Sequence, residues 1–83
     1  MKILPVHQEV ISYIKKKNIE KKFSKQLRIL KNNPQYPSLR TELLEPKKHG
    51  IYSFRINRKY RGLFVYRLDK QTIEVITVTD HYK

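Results

Sequence analysis

The sequence predicts an α+β fold: two N-terminal helices packed on one face of a small, mainly antiparallel sheet of about four strands. Two periodicities carry that expectation. In the first part of the chain, apolar residues recur at helical spacing. From Ile51 to Tyr82, bulky, β-branched or aromatic residues instead recur every second position: Tyr52, Phe54, Ile56; Phe64, Tyr66, Leu68; Ile73, Val75, Thr77. No internal linker interrupts the chain, so residues 1–83 read as a single domain.

Taken in order, Met1 to Leu4 suit a very short edge strand. Pro5 fits the first turn of a helix, where its missing N–H costs nothing. Val6, Val10, Ile11 and Ile14 share one side of that helix, which runs to about Lys17 before Asn18 breaks the pattern. Ile19, Phe23, Leu27 and Leu30 form the stripe of a second helix, ended by Asn32-Asn33-Pro34 because the residue before proline avoids helical geometry. The runs Lys15-Lys16-Lys17 and Lys21-Lys22 read either as a solvated helix face or as contacts to a phosphate backbone. After a connector at residues 35–38, LRTELLE (residues 39–45) predicts a strand. It places Leu39, Thr41 and Leu43 on one face and Arg40, Glu42 and Leu44 on the other. Pro46 to Gly50 is a turn-rich loop.

The meander that follows carries arginines 55, 58, 61 and 67 between its apolar positions. A three-residue loop at residues 58–60 would place Arg55 and Arg61 on one face and pair the aromatics on the other. A two-residue loop would bury the Arg61 guanidinium among hydrophobes, so an odd-length loop is expected. Asp69-Lys70-Gln71 forms the second turn. The cationic face then also carries Leu63 and Val65, with Ile76 and Val78 expected beside them. Two helices cover only one face, so an acidic, amphipathic partner segment is expected over part of this surface.

Nineteen Lys and Arg against seven Asp and Glu give a net charge of +12, which steers the chain toward polyanions, nucleic acid first. There is no cysteine to form a disulfide or a thiolate metal site. No membrane-span run or signal-peptide pattern is present, so a soluble, cytoplasmic protein is expected. Gly-rich phosphate loops, HExxH and nucleophile elbows are missing, and His7, His49 and His81 are scattered, so neither metal nor cofactor is expected.

Metal-free RNA cleavage fits the residues that remain. Attack of a ribose 2′-OH on the adjacent phosphate needs a base, a cation for the phosphorane and an acid for the leaving oxygen. Arginine supplies the cation with a fork that matches phosphate oxygens, and Arg61 is the first candidate. His81 can act as acid or base and Tyr82 can stack on a base or relay a proton. Glu45 is a candidate base. Arg40, Lys47, Lys48, Arg55 and Arg58 are candidate phosphate contacts. Each also has a plain reading, as a surface ion-pair former, a loop charge or a chain-end residue.

The segments NNPQYPSLR, GIYSFRINRKYRGLFVYRL and IEVITVTDHY, taken together, resemble the RelE/ParE toxin superfamily of bacterial toxin–antitoxin pairs over nearly the whole chain. The closing His81-Tyr82 is similar to the terminal pair of the YoeB-like ribosome-dependent mRNA interferases. The resemblance implies a RelE/ParE-like fold, cleavage of mRNA in the ribosomal decoding site beside rRNA, and neutralisation by a cognate antitoxin. It implies that Arg61 stabilises the phosphate, His81 acts as acid or general acid/base, and Tyr82 orients the substrate. Glu45, followed by Pro46, resembles that branch's basic-loop glutamate at a different spacing from the next strand. The ParE side of the superfamily poisons DNA gyrase instead, and inactive antitoxin-binding homologues exist. A non-catalytic binding module is therefore the alternative.

Overall fold

In the computed structural model, which describes residues 1–80, the helical stripes form as their spacing requires. Helix α1 (Gln8–Lys16) buries Val10 and Ile14, one turn apart. Helix α2 (Glu20–Asn32) buries Phe23, Gln26 and Leu30. Glu9 and Glu20 occupy the first turns, and Lys15, Lys16 and Lys31 the last, so charge complements both macrodipoles. Between the helices Asn18 adopts φ 57°, a left-handed conformation that its short polar side chain tolerates. The lysine runs are exposed throughout.

The strands are β1 (Lys2–Ile3), β2 (Glu42–Leu43), β3 (Ile51–Arg55), β4 (Arg61–Tyr66) and β5 (Thr72–Thr79). They form one sheet in the order β1-β5-β4-β3-β2, with β1 parallel to β5 and the other pairs antiparallel. The count is five because two short strands close the edges. The strand expected over residues 39–45 shrinks to Glu42–Leu43. Pro37–Leu39 is a 3₁₀ turn that drives Leu39 fully into the core, and Arg40 at φ 47° swings the chain away before pairing begins. Lys47–His49 is a second 3₁₀ turn, closed by Gly50 at φ 64°.

Strand β3 pairs with β4 so that Arg55 opposes Arg61 and Phe54 opposes Gly62. The loop spans residues 56–60, two longer than expected. Parity is unchanged by two residues, so the arginines still share a face. The longer loop wins because it closes well: Ile56 N–H donates to Tyr60 O at 3.0 Å. Asn57 Oδ1 accepts from the N–H groups of Lys59 (2.9 Å) and Tyr60 (2.8 Å). Ile56 and Tyr60 are both buried.

A bulge corrects another expectation. Leu63 pairs with Thr77 but Phe64 pairs with Val75, leaving Ile76 as the extra residue. The alternation of β5 flips there, so Val78 joins Val75 in the core instead of lying on the cationic face. Leu68, expected in strand β4, lies beyond its end and is fully exposed.

The core lies between the helices and one face of the sheet. Phe54 and Phe64 stand at its centre with centroids 6.0 Å apart, and Phe23 of α2 packs 6.3 Å from Phe54. The opposite face, bearing Ile51, Arg55, Arg61, Leu63 and Val65, is only half-buried. No helix among the described residues is long and apolar enough to cross a membrane.

Candidate nucleic-acid interface

Residues directly opposed across an antiparallel pair have Cα atoms only about 4.5–5.5 Å apart, and like charges there repel. Arg55 and Arg61 stand in that relation. The structure holds Arg61 in place with backbone acceptors: its Nη1 donates to Asn57 O at 2.8 Å and to Tyr60 O at 3.2 Å. A third guanidinium, Arg40, joins from the left-handed turn before β2. Arg40, Thr41, Glu42 and Arg61 line an open cleft of about 410 Å³.

Burial, followed by the positive charges of Arg55 and Arg40, pushes the Arg61 guanidinium below its ordinary pKa, while Glu42 pulls it back up. A guanidinium remains charged through such a shift. The cleft is therefore a cationic seat with the Glu42 carboxylate on its wall. Forked donors of this kind suit phosphate oxygens.

Two side-chain anchors, one buried and one partly buried, set the seat. Gln26 of α2 donates from Nε2 to Arg55 O at 2.8 Å and to Ser38 O at 3.2 Å, joining the end of β3 to the turn that precedes Arg40. Thr41 Oγ1 donates to Pro34 O at 2.5 Å and fixes the other side of that turn.

The expected site residues divide between two places. Arg40, Arg55 and Arg61 come together, and Arg58 is exposed in the adjoining loop. Glu45, Lys47 and Lys48 do not join them. They follow Leu44, whose N–H bonds Ile51 O at the start of β3. That is four residues along the strand from Arg55, roughly 13 Å at strand rise. Glu42 takes the position beside Arg61 instead. Its signal was present in LRTELLE, where alternation puts Arg40 and Glu42 on one face. His81 and Tyr82 lie outside the described residues. Thr79, two residues before His81, is Arg61's register partner on β5. Among the described residues, no group of three or more His, Asp or Glu side chains could hold a metal ion.

A YoeB/ParE toxin from Agrobacterium tumefaciens superposes on this chain with a TM-score of 0.75, covering 99% of this chain and 100% of its own, at 22% identity. The fold is the YoeB/ParE toxin fold. The same fold appears in a YoeB dimer from Staphylococcus aureus, which matches at TM-score 0.65 and 25% identity over 98% of this chain and 94% of its own. YoeB from the heterotetrameric YoeB–YefM toxin–antitoxin complex of S. aureus matches at TM-score 0.69 and 24% identity, over 98% and 94%. Neither a protein-family model nor a curated protein matches the sequence. The α+β architecture expected from the two periodicities, and the RelE/ParE-like fold that the resemblance implied, are thus the YoeB/ParE fold across nearly its full length.

Proposed function

We propose that this chain is the toxin of a toxin–antitoxin pair and acts as a ribosome-dependent mRNA endoribonuclease. The observation that carries the reading is the convergence of Arg40, Arg55 and Arg61 with Glu42 on the open face of the sheet. Full-length likeness to YoeB/ParE toxins supports it, as does a net charge of +12, suited to a ribosomal RNA surface. The S. aureus relative is found with its antitoxin YefM. The corresponding partner here is a cognate antitoxin, whose acidic segment covers part of the cationic face.

In this reading Glu42 takes the proton from a ribose 2′-OH. The 2′-oxygen forms a bond to the adjacent phosphorus, and the bond to the 5′-oxygen breaks. Arg61, backed by Arg55 and Arg40, holds the charge that builds on the non-bridging oxygens. The leaving 5′-oxygen takes a proton from His81, tethered two residues beyond Thr79, and Tyr82 orients the substrate. The products are a 2′,3′-cyclic phosphate and a 5′-hydroxyl. Glu45, at the far end of β3, has no part in the chemistry.

Primer-extension mapping of translated mRNA during expression tests this. The wild type is expected to cut within codons. Arg61→Ala and Glu42→Gln are each expected to lower cleavage by about a hundredfold or more, and Glu45→Gln by less than a few-fold. Loss of cleavage on Glu45→Gln with activity kept on Glu42→Gln would transfer the base to the other end of the sheet. Intact mRNA with blocked gyrase supercoiling would replace the nuclease with a ParE-like inhibitor.

A further inference from the structure

The bulge at Ile76 decides which way the end of β5 faces. With one residue added, Val78 turns into the core and Thr79 turns out to stand opposite Arg61. Alternation carries Asp80 back to the helix side, where α1 packs on β5. Without the extra residue Asp80 would fall on the open face. On the helix side its charge bears on the hydroxyl of Tyr13. Glu9, Val10 and Tyr13 of α1 and Ile76, Thr77 and Val78 of β5 line a small cleft of about 170 Å³ between the two elements.

Tyr13 also reaches the other half of the site. Its ring meets that of Tyr60 edge-on, with centroids 6.1 Å apart and planes at 78°. Tyr60 is buried at the end of the loop between β3 and β4, and its carbonyl accepts from Arg61 Nη1 at 3.2 Å. The Tyr60 N–H donates to Asn57 Oδ1 at 2.8 Å, which pins the residue within its loop. Two lysines cap the pair of rings. Lys17 Nζ lies 5.6 Å from the Tyr13 centroid and Lys59 Nζ 5.5 Å from that of Tyr60. We propose that Tyr13 is a positioning residue for the cleavage site, bracing the Arg61 loop through Tyr60 and the approach to His81 through Asp80. The consequence for cleavage rests on the nuclease reading above, and the bracing itself does not.

Ring and hydroxyl have separate parts in this arrangement. Contact with Tyr60 needs only a ring, which phenylalanine would supply equally. The hydroxyl is what the core does not use. Burial first, then Asp80 and Tyr60, push it above its ordinary pKa, so it keeps its proton. A neutral phenol donates, and a carboxylate accepts. Asp80 directly precedes His81 in the chain, so restraining that carboxylate restrains the residue after it. Tyr13 need not touch RNA to set the rate, since misplacing a reacting group by about 1 Å can cost about a hundredfold.

Single-turnover cleavage on mRNA-programmed ribosomes, followed across protein concentrations, separates the cleavage step from binding. Tyr13→Phe is expected to slow the step about tenfold while the half-saturating concentration stays within about twofold. Tyr13→Leu, which also removes the ring, should slow it about a hundredfold. Ser12→Ala, at an exposed position of the same helix, should change neither quantity. Tyr13→Phe/Asp80→Asn should be no slower than the worse single variant, because both remove one contact. Nuclear magnetic resonance of the protein alone reads the geometry without RNA. The His81 ring signals should move in Tyr13→Phe while Arg61 Nε–H stays in place, and both should move in Tyr13→Leu. Wild-type cleavage speed in Tyr13→Phe, additive losses with Asp80→Asn, or unmoved His81 signals would each overturn the proposal. A wild type that leaves ribosome-bound mRNA intact overturns the nuclease reading instead, and the His81 and Arg61 signals then decide the part played by Tyr13.

Discussion

Gly62 offers the sharpest test of how the sheet packs. It lies directly opposite Phe54, whose ring folds over it in the fully buried core. A Cβ added at Gly62 would stand 2.5 Å from Phe54 Cζ and closer still to Cε1. Neither backbone has room to move, since both residues lie in paired strands. Overpacking of this kind costs about 1–3 kcal/mol. Replacing glycine within a strand returns roughly 0.5–1 kcal/mol of backbone entropy. Gly62→Ala should therefore destabilise by about 1–2 kcal/mol, a fall in melting temperature of roughly 5–15 °C for a domain this small. Thermal unfolding followed by circular dichroism measures it. Phe54→Leu removes the clashing ring edge, so Gly62→Ala/Phe54→Leu should be more stable than the sum of the single changes by about 1 kcal/mol or more. Because Arg55 and Arg61 adjoin this pair, the RNA cleavage proposed above should fall in Gly62→Ala and recover in the double variant. A neutral or stabilising Gly62→Ala, or strict additivity, would refute the claim that the ring occupies the space a side chain would need.

Two further outcomes follow from named contacts. Gln26→Leu leaves the carbonyls of Ser38 and Arg55 without the amide that now serves both, and urea unfolding should show a loss of about 1–3 kcal/mol. Glu74 is held below its ordinary pKa of 4.5 by hydrogen bonds from Arg67 and His7, and Asp69 below 3.8 by the Gln71 N–H and the Thr72 hydroxyl. For such groups the unfolded state binds more protons, so their stabilisation is complete above those ordinary values. It is lost as pH falls through the lowered folded ones. Urea midpoints measured down through the acid range should decline there for the wild type, and less steeply for Glu74→Gln.

Much of this fold could be read from side-chain spacing alone. Val10, Ile14, Phe23 and Leu30 mark their helices because each helix buries one stripe. The shared face of Arg55 and Arg61 followed from parity, which survived an error of two residues in the loop because only oddness mattered. What escaped the sequence were events that break a period. The bulge at Ile76 moves Val78 across the sheet, and no local residue announces it: the extra residue is set by how β4 and β5 meet. Arg40 takes a left-handed conformation without being glycine or asparagine, so the turn that shortens β2 looked like strand. That same turn hid how near Glu42 comes to Arg61. Glu45 drew attention by standing next to Pro46, whereas closeness to Arg61 depends on which strand pairs with which.

The sheet order also sets a schedule for the newborn chain. Strand β1 leads the polypeptide out, yet residue 2 finds its neighbour only when residue 72 has been made. Until then the greasy side of α1 lacks β5, the strand it packs on, and Arg61 has no Thr79 alongside it. The edge strand and the pairing of Arg61 with Thr79 thus form together, late in synthesis.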